Sequence, residues 1–305
     1  MVKSINAWIG AMRLRTLPLS LSGIIVGSAL ACFFGACDLL VFSMAISTTI
    51  FFQILSNLSN DLGDSQKGTD NDRRLGPDRA VQSGAISPLQ MKIAVWVVSV
   101  LSLLSASLLI YVSSSLLSES VIYIYFGLTV LSIAAALMYT LGKSAYGYFG
   151  LGDLMVFLFF GLLSVIGVYG LYGALFRWLL LFPAITIGLW SVAVLNLNNM
   201  RDIDNDRDSG KRTFVVFMGS KKARYYHLFL ILFGFLSWLI FTVKLFIYEQ
   251  NWFVYISLIP SFWIFIHLRR VFLIEDPKFF DGELKKVALA TFFSALTISI
   301  SLFLG

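Results

Sequence analysis

Charge is scarce in this sequence. Asp, Glu, Lys and Arg supply only 13% of its 305 residues, about half the share of an ordinary soluble domain. The shortage excludes a water-soluble globule and leaves a polytopic membrane protein as the class that fits. Metal-binding sulfur and imidazole are scarcer still, with two cysteines and two histidines in all. Cys32 and Cys37 match no zinc spacing. They read as free or buried thiols, with oxidation on an external face as the alternative. His227 and His267 stand near the ends of apolar runs without a partner motif and read as interfacial residues. Gly210-Lys-Arg-Thr213 lacks the upstream glycine spacing of a phosphate-binding P-loop, which disfavours nucleotide hydrolysis. A cleavable signal peptide is not expected, since basic N-terminal residues lead directly into a span too long for an h-region.

Apolar length is what the chain has in abundance. Hydrophobic residues make up 58% of it. Runs long enough to span a bilayer fall at roughly 17–36, 39–60, 91–113, 120–141, 153–173, 176–199, 225–247, 252–271 and 286–304. This predicts an all-α fold, nine transmembrane helices in one bundle, with residues 1–305 forming a single domain. The brief gaps near 36–38 and 174–177 predict tight helical hairpins. A net charge of +6 suggests nucleic acid only until the charges are placed. Lys3, Arg13, Arg15, Lys143 and the loops at 61–92, 201–224 and 269–286 fall on one side; of 23 Lys and Arg, only Arg177 and Lys244 fall on the other. The positive-inside rule then puts the N-terminus and these loops in the cytoplasm and the C-terminus outside, in the cytoplasmic (inner) membrane. The bilayer, and not nucleic acid, is the partner these charges imply. Trp8, Trp178 and Trp252 suit interfacial belts.

The few polar residues are concentrated. Asn57-Leu-Ser-Asn-Asp-Leu-Gly-Asp64 closes the second run, and Asn196-Leu-Asn-Asn-Met-Arg-Asp-Ile-Asp-Asn-Asp206 closes the sixth. Asp61 and Asp64 are three apart and Asp202 and Asp206 four apart, so each pair shares a helical face. Asn198 joins the second face, whereas Asp204 and Asp208 point elsewhere, toward solvent or salt bridges. Four spans separate the clusters, so both emerge on one side and can converge on one site. Hard oxygen donors at this density suit Mg²⁺, with Asn60, Asp61, Asp64, Asn198, Asp202 and Asp206 as candidate ligands and two ions expected. Lys67, Arg73, Arg74 and Arg79 follow the first cluster, and Arg201 and Lys211 accompany the second. These cations suit a diphosphate, the arginines as bidentate partners; a loop this basic also suits anchoring on a membrane surface. The shared Asn-Leu-x-Asn lead-in hints at a parallel repeat, spans one to four resembling five to eight. Either cluster alone also reads as a solvated helix end.

Metal ions that bridge a diphosphate make it a better leaving group. If the attached carbon is allylic, ionisation gives a delocalised cation for an electron-rich partner to capture. An apolar interior would hold a long isoprenoid tail and keep water from the cation. Four ordered motifs carry a resemblance: Arg13-Leu-Arg-Thr-Leu-Pro18, Asn60-Asp-Leu-Gly-Asp-Ser-Gln-Lys-Gly-Thr-Asp70, Tyr146-Gly-Tyr-Phe-Gly-Leu-Gly-Asp153 and Asn198-Asn-Met-Arg-Asp-Ile-Asp-Asn-Asp-Arg-Asp-Ser-Gly-Lys211. Together they resemble the UbiA superfamily of intramembrane prenyltransferases, most closely its branch acting on 1,4-dihydroxy-2-naphthoate in menaquinone synthesis. The resemblance runs from about residue 6 to the last span. It implies Mg²⁺-dependent transfer of a polyprenyl group from its diphosphate to the naphthoate ring, with loss of the carboxylate, giving demethylmenaquinone. By motif position it lends the metal and diphosphate role to Asn60, Asp61, Asp64, Asn198, Asp202 and Asp206, with Asp64, Asp202 and Asp206 as catalytic residues. The pattern departs at Gly68, where longer versions of the first motif carry a third Asp. Asp70, two residues on, is left as a helper.

The acceptor side is less explicit. Tyr139 and Lys143 close span four, and Asp153 opens span five. An acid at the membrane boundary is costly unless satisfied, so Tyr139 and Asp153 are candidates for activating the acceptor, Asp153 as base or orienter. An N-cap of span five is the alternative for Asp153. Arg13 and Arg15, ahead of the helix-starting Pro18, are candidates with Lys143 for binding the acceptor; positive-inside anchoring explains the two arginines equally well. Two rival classes stay open. A cation-coupled transporter would bury its acids near the midplane, whereas here they lie at one face. A sibling prenyltransferase acting on 4-hydroxybenzoate, haem or a chlorin would differ by few residues.

Overall fold

The computed structural model describes residues 2–304, with side chains from residue 5 onward; the side chain of Lys3, one of the orienting charges, lies outside them. Among the described residues nine helices are long and apolar enough to cross a membrane. They are α1 (Ile5–Phe33), α2 (Leu39–Gln66), α3 (Pro88–Leu116), α4 (Glu119–Met138), α5 (Gly152–Gly170), α6 (Trp178–Arg201), α7 (Phe214–Glu249), α8 (Trp252–Leu273) and α9 (Pro277–Ser301). The protein is an all-helical, multi-pass membrane protein. Local chemistry starts the helices where polar residues meet apolar runs. Asp38 caps α2 by accepting from the N–H groups of Leu40 and Val41 at 2.8 and 3.0 Å. Ser87 and Gln90 cap each other's backbone ahead of Pro88 in α3, and Thr213 Oγ1 accepts from Val216 N–H to open α7.

Several helices overrun their apolar stretches, α1 beginning at Ile5 rather than near 17. α2 continues past residue 60 to Gln66, α7 begins at Phe214 rather than near 225, and α9 begins at Pro277 rather than near 286. Hydropathy marks where lipid contact ends, but helical hydrogen bonding continues into turns that face protein. Two expectations fail for related reasons. His227 and His267 are buried, not interfacial. α7 is broken at Gly219 (φ 78°, ψ 161°) and resumes at Ser220, which still puts His227 about two turns inside its helix, where its Nε2 meets His267 Nε2 at 2.7 Å. The early start of α9 likewise brings Glu283 to within 2.7 Å of His267 Nδ1, so one polar chain ties α7, α8 and α9. Cys32 and Cys37 form a disulfide rather than free thiols, because the α1–α2 turn doubles back and brings their Cα atoms to 3.9 Å.

The bundle packs around two apolar cores. The larger joins α1 and α5 to α9 around Tyr169, Trp190, Trp238 and Phe241. The smaller sets Leu55, Leu58 and Leu62 of α2 against Met91 and Val95 of α3. A cavity of about 380 Å³ lies between them, lined from α1, α2, α3, α4 and α5. Residues Phe157–Gly167 of α5 form a π-helical stretch. Wide turns of this kind recur at functional sites, and here Phe159, Phe160 and Leu163 form one cavity wall.

Candidate active site

Both acidic clusters are buried at the same end of the bundle, and each is shaped by its own helix end. α2 carries Asp61 and Asp64 on its last turns. Asp61 accepts from the N–H groups of Ala80 and Val81, both at 3.1 Å, and so pins the returning loop beneath the helix. The N–H groups of Thr69 and Asp70 bond to the Asp64 carbonyl at 3.0 and 3.3 Å, closing a tight turn. Gly63 lets this end of α2 approach the segment after α4: a Cβ there would sit 2.6 Å from Thr140 Cβ. α6 stops at Arg201, Asp202 leaves helical geometry at φ −100° and ψ 14°, and a short helix, Ile203–Asp208, follows. Asp202 and Asp206 face inward, 5% and 3% exposed. Asp204 and Asp208 face outward and pair with Arg207 and Arg73, both at 3.1 Å.

Cations bridge the clusters. Arg74 Nε lies 3.3 Å from Asp70 and its Nη2 3.8 Å from Asp202. Arg79 Nε is 3.3 Å from Asp70 and its Nη2 3.9 Å from Asp64. Lys211, from the second loop, reaches Asp64 Oδ1 at 3.5 Å, and Asn205 Nδ2 donates to the Thr69 carbonyl at 2.8 Å. The site is thus a ring of carboxylates held apart by guanidinium and ammonium groups. Burial, followed by the nearby Asp64 charge, pushes Asp70 up to about 7. Burial likewise pushes Asp206 up to about 6, against the pull of Lys211. Burial alone would lower Lys211, yet Asp64 and Asp206 hold it above its ordinary value. Tyr139 is pushed up to about 12 by burial, so it stands as a neutral hydroxyl at neutral pH.

Several residues named from sequence stand elsewhere or are already engaged. Arg15 and Lys143 are exposed, and Arg73 is turned outward to Asp208. Asp153 accepts from Tyr226 Oη at 3.0 Å. Arg201 is buried and saturated: it forks onto Asp202 at 3.2 and 2.7 Å, donates to Asn198 Oδ1 at 2.8 Å and holds Asp281 of α9 at 2.8 Å. It braces the second cluster against α9. Asn60 and Tyr139 line the cavity, with Asn60 Oδ1 accepting from Thr140 at 3.4 Å. Arg13 sits at the break in α1, in left-handed backbone with φ 48°; its buried Nη2 has no hydrogen-bond partner among the described residues. Lys67 lies 4.1 Å from the ring centroid of Tyr148.

Tyr148 is the residue that sequence reasoning missed. Its hydroxyl donates to Asp64 Oδ1 at 2.8 Å and accepts from Thr69 at 2.6 Å. It lies inside the Tyr146–Asp153 motif, but no spacing rule distinguishes it from its neighbours. Gln53 was also missed: it accepts from Ser20 at 2.8 Å and donates to Thr16 at 3.0 Å on the cavity wall. Its one signal is an amide within an apolar run.

The donor chemistry fits Mg²⁺. Among the described residues no three His, Cys, Asp or Glu side chains form a ready-made cage. Mg²⁺ does not need one, since it keeps waters and binds through one or two carboxylates together with substrate phosphates. Asp64, Asp202 and Asp206, with amide oxygens nearby, supply hard oxygen ligands of that kind. The cavity beyond them is largely apolar.

The sequence matches the UbiA prenyltransferase family over residues 20–279. The chain belongs to the UbiA prenyltransferase family. Among curated UbiA relatives, a 1,4-dihydroxy-2-naphthoate octaprenyltransferase of Escherichia coli is 45% identical over 227 residues, 74% of this chain and 73% of that one. The enzyme of the same name from Haemophilus influenzae is 37% identical over 305 residues, covering 99% and 97%. Solved structures share the UbiA fold. A UbiA homolog from Aeropyrum pernix superposes with a TM-score of 0.70 at 18% identity, covering 96% of this chain and 98% of that one. A UbiA homolog from Archaeoglobus fulgidus bound to DMAPP and Mg²⁺ gives 0.60 at 15% identity, covering 94% and 99%.

Proposed function

We propose that this prenyltransferase moves a polyprenyl group from its diphosphate to 1,4-dihydroxy-2-naphthoate, releasing diphosphate and the carboxylate as carbon dioxide and giving demethylmenaquinone in its hydroquinone form. The observation that carries this reading is the junction of two unlike environments. A buried ring of Asp64, Asp70, Asp202 and Asp206 with Arg74, Arg79 and Lys211 stands beside an apolar cavity of about 380 Å³. The charged end suits a diphosphate, and the apolar end suits a hydrocarbon tail. The names of the Escherichia coli and Haemophilus influenzae relatives supply the acceptor. The whole chain, 1–305, acts as one domain in this reading.

Asp64 with Asn60, and Asp202 with Asp206 and Asn198, would hold one Mg²⁺ each; bound there, the ions supply positive charge that stabilises the departing diphosphate. Arg74, Arg79 and Lys211 are within reach of the same diphosphate, and Arg13, with its unpartnered Nη2, serves diphosphate or acceptor carboxylate. Asp61 acts on the loop rather than on the substrate. Once the C–O bond breaks, the allylic cation lies against an apolar wall and is captured by the electron-rich ring. Tyr139, at the cavity lining, orients an acceptor hydroxyl. The protein's own contribution is positioning, charge neutralisation and exclusion of water.

The acidic end faces the cytoplasm in this reading, with the C-terminus outside. Two features support that orientation. Lys and Arg gather at the acidic end, and the Cys32–Cys37 disulfide closes a turn at the other, as suits an oxidising compartment. Labelled polyprenyl diphosphate, given to purified protein with 1,4-dihydroxy-2-naphthoate or 4-hydroxybenzoate, tests the assignment. Prenylated naphthol is expected from the first acceptor, and none after EDTA. Product from 4-hydroxybenzoate alone would reassign the acceptor, and EDTA-resistant turnover would overturn the metal role.

A further inference from the structure

Positive charge is sparse at the end of the bundle away from the acids. Arg177 and Lys244 are the two of 23 Lys and Arg that fall there, about 36 Å along α6 from Arg201 at 1.5 Å per residue. Both line one pocket of about 470 Å³ between the end of α1, the start of α6 and the end of α7, with Phe34, Leu179, Ile247 and Tyr248. The Arg177 guanidinium lies 4.0 Å from the Phe34 ring centroid, which leaves its N–H edge available. Phe34 is itself fixed: Phe33 and Tyr248 pack edge-on to it at 5.0 and 6.1 Å, and it rides on the turn closed by the Cys32–Cys37 disulfide. Lys244 Nζ lies 5.9 Å from the Phe182 ring. From its place before the last turn of α7 the ammonium head must extend toward the interface, its stem along apolar surface.

Neither cation forms an ion pair among the described residues, although acids are present at that end. Asp38 is committed to capping α2, and Glu119 and Glu249 lie beyond salt-bridge reach. Exposed Trp178 and Trp252 mark this level as the membrane–water interface; exposed Ile247 lines the pocket, and exposed Leu175 and Phe176 directly precede Arg177 in the chain.

We propose that this pocket binds the headgroup of an anionic phospholipid, Arg177 and Lys244 meeting the phosphodiester and the exposed apolar rim receiving the acyl chains. An arginine fork matches two phosphate oxygens, and lysine adds a point charge. A zwitterionic lipid carries its own cation to the pair and gains less. The site lies at the opposite end of the bundle from the acidic clusters and stands independently of the acceptor assignment.

Native mass spectrometry of the protein from nanodiscs of phosphatidylcholine, with and without phosphatidylglycerol, tests it against Arg177→Gln/Lys244→Gln. The wild type is expected to retain phosphatidylglycerol in preference, and the double variant to bind it about tenfold more weakly while keeping its prenyl-transfer activity. Arg177→Lys/Lys244→Arg, which preserves charge and serves as a control for folding, is expected to keep the lipid. Equal retention by wild type and the Gln variant, or no preference over phosphatidylcholine, would overturn the proposal. Stabilisation by inorganic phosphate or glycerophosphate equal to that by the lipid would also overturn it, in favour of a free-anion site.

Discussion

Tyr148→Phe removes the hydroxyl that links Thr69 to Asp64 in the proposed site. The change keeps the ring, and with it the contact to Lys67 at 4.1 Å, and removes only the hydroxyl that donates to Asp64 at 2.8 Å. A hydrogen bond to a charged group contributes about 1.5–3 kcal/mol. If Asp64 must be held in place for Mg²⁺ and diphosphate, most of that is lost in the transition state, a fall in kcat of about 10- to 100-fold. The Mg²⁺ concentration for half-maximal activity should rise at the same time, because a freed carboxylate can turn back toward Lys211 or Arg79. The assay is steady-state prenyl transfer at saturating substrates across a Mg²⁺ titration, with thermal unfolding in parallel. A lowered unfolding midpoint with unchanged kcat and unchanged Mg²⁺ dependence would refute the reasoning and leave Tyr148 a purely structural residue.

Further outcomes are expected from the same geometry. Asp206→Ala should abolish turnover while Asp208→Ala, an outward residue paired with Arg73, should retain most of it; equal losses would contradict the inward–outward division. Asp64→Ala and Asp202→Ala should insert normally and be inactive, read by membrane expression beside activity. Gly63→Ala should destabilise the protein, since its Cβ would lie 2.6 Å from Thr140 Cβ and overpacking costs about 1–3 kcal/mol; an unchanged midpoint would show that α2 and the 140 segment yield freely. Asp70 and Asp206 titrate at about 7 and about 6, above the ordinary 3.8. Their contribution to stability is present below the unfolded value and lost as pH rises through 6 and 7. The metal-free protein should therefore unfold more readily at pH 8 than at pH 5, and Asp70→Asn should flatten the trend; a steeper trend in that variant would overturn the assignment.

The spans were legible because a bilayer demands long apolar helices and leaves charge at their ends. The clusters were legible too, since amides and acids stand out in a chain with 13% charge. What could not be read was how the polar residues divide the work. Asp61 and Asp64 share a helical face, yet Asp61 holds the loop through Ala80 and Val81 while Asp64 meets Tyr148, Arg79 and Lys211. That division depends on contacts made from 15 to 147 residues away in the chain. The histidines failed for a different reason, because hydropathy mistook the end of an apolar run for the end of a helix. Cys32 and Cys37 failed because a turn's path is invisible in a spacing of five.

In the proposed mechanism, residues of the second- and sixth-span clusters act on one diphosphate through divalent ions. A double-mutant cycle tests it most directly: Asp64→Asn, Asp206→Asn and both together, scored by Mg²⁺-dependent binding of a non-reactive prenyl diphosphate analogue. Coupling above about 1 kcal/mol is predicted, since groups sharing a ligand are not additive. Additivity within about 0.5 kcal/mol would mean that the two carboxylates serve separate sites, and the account would fail.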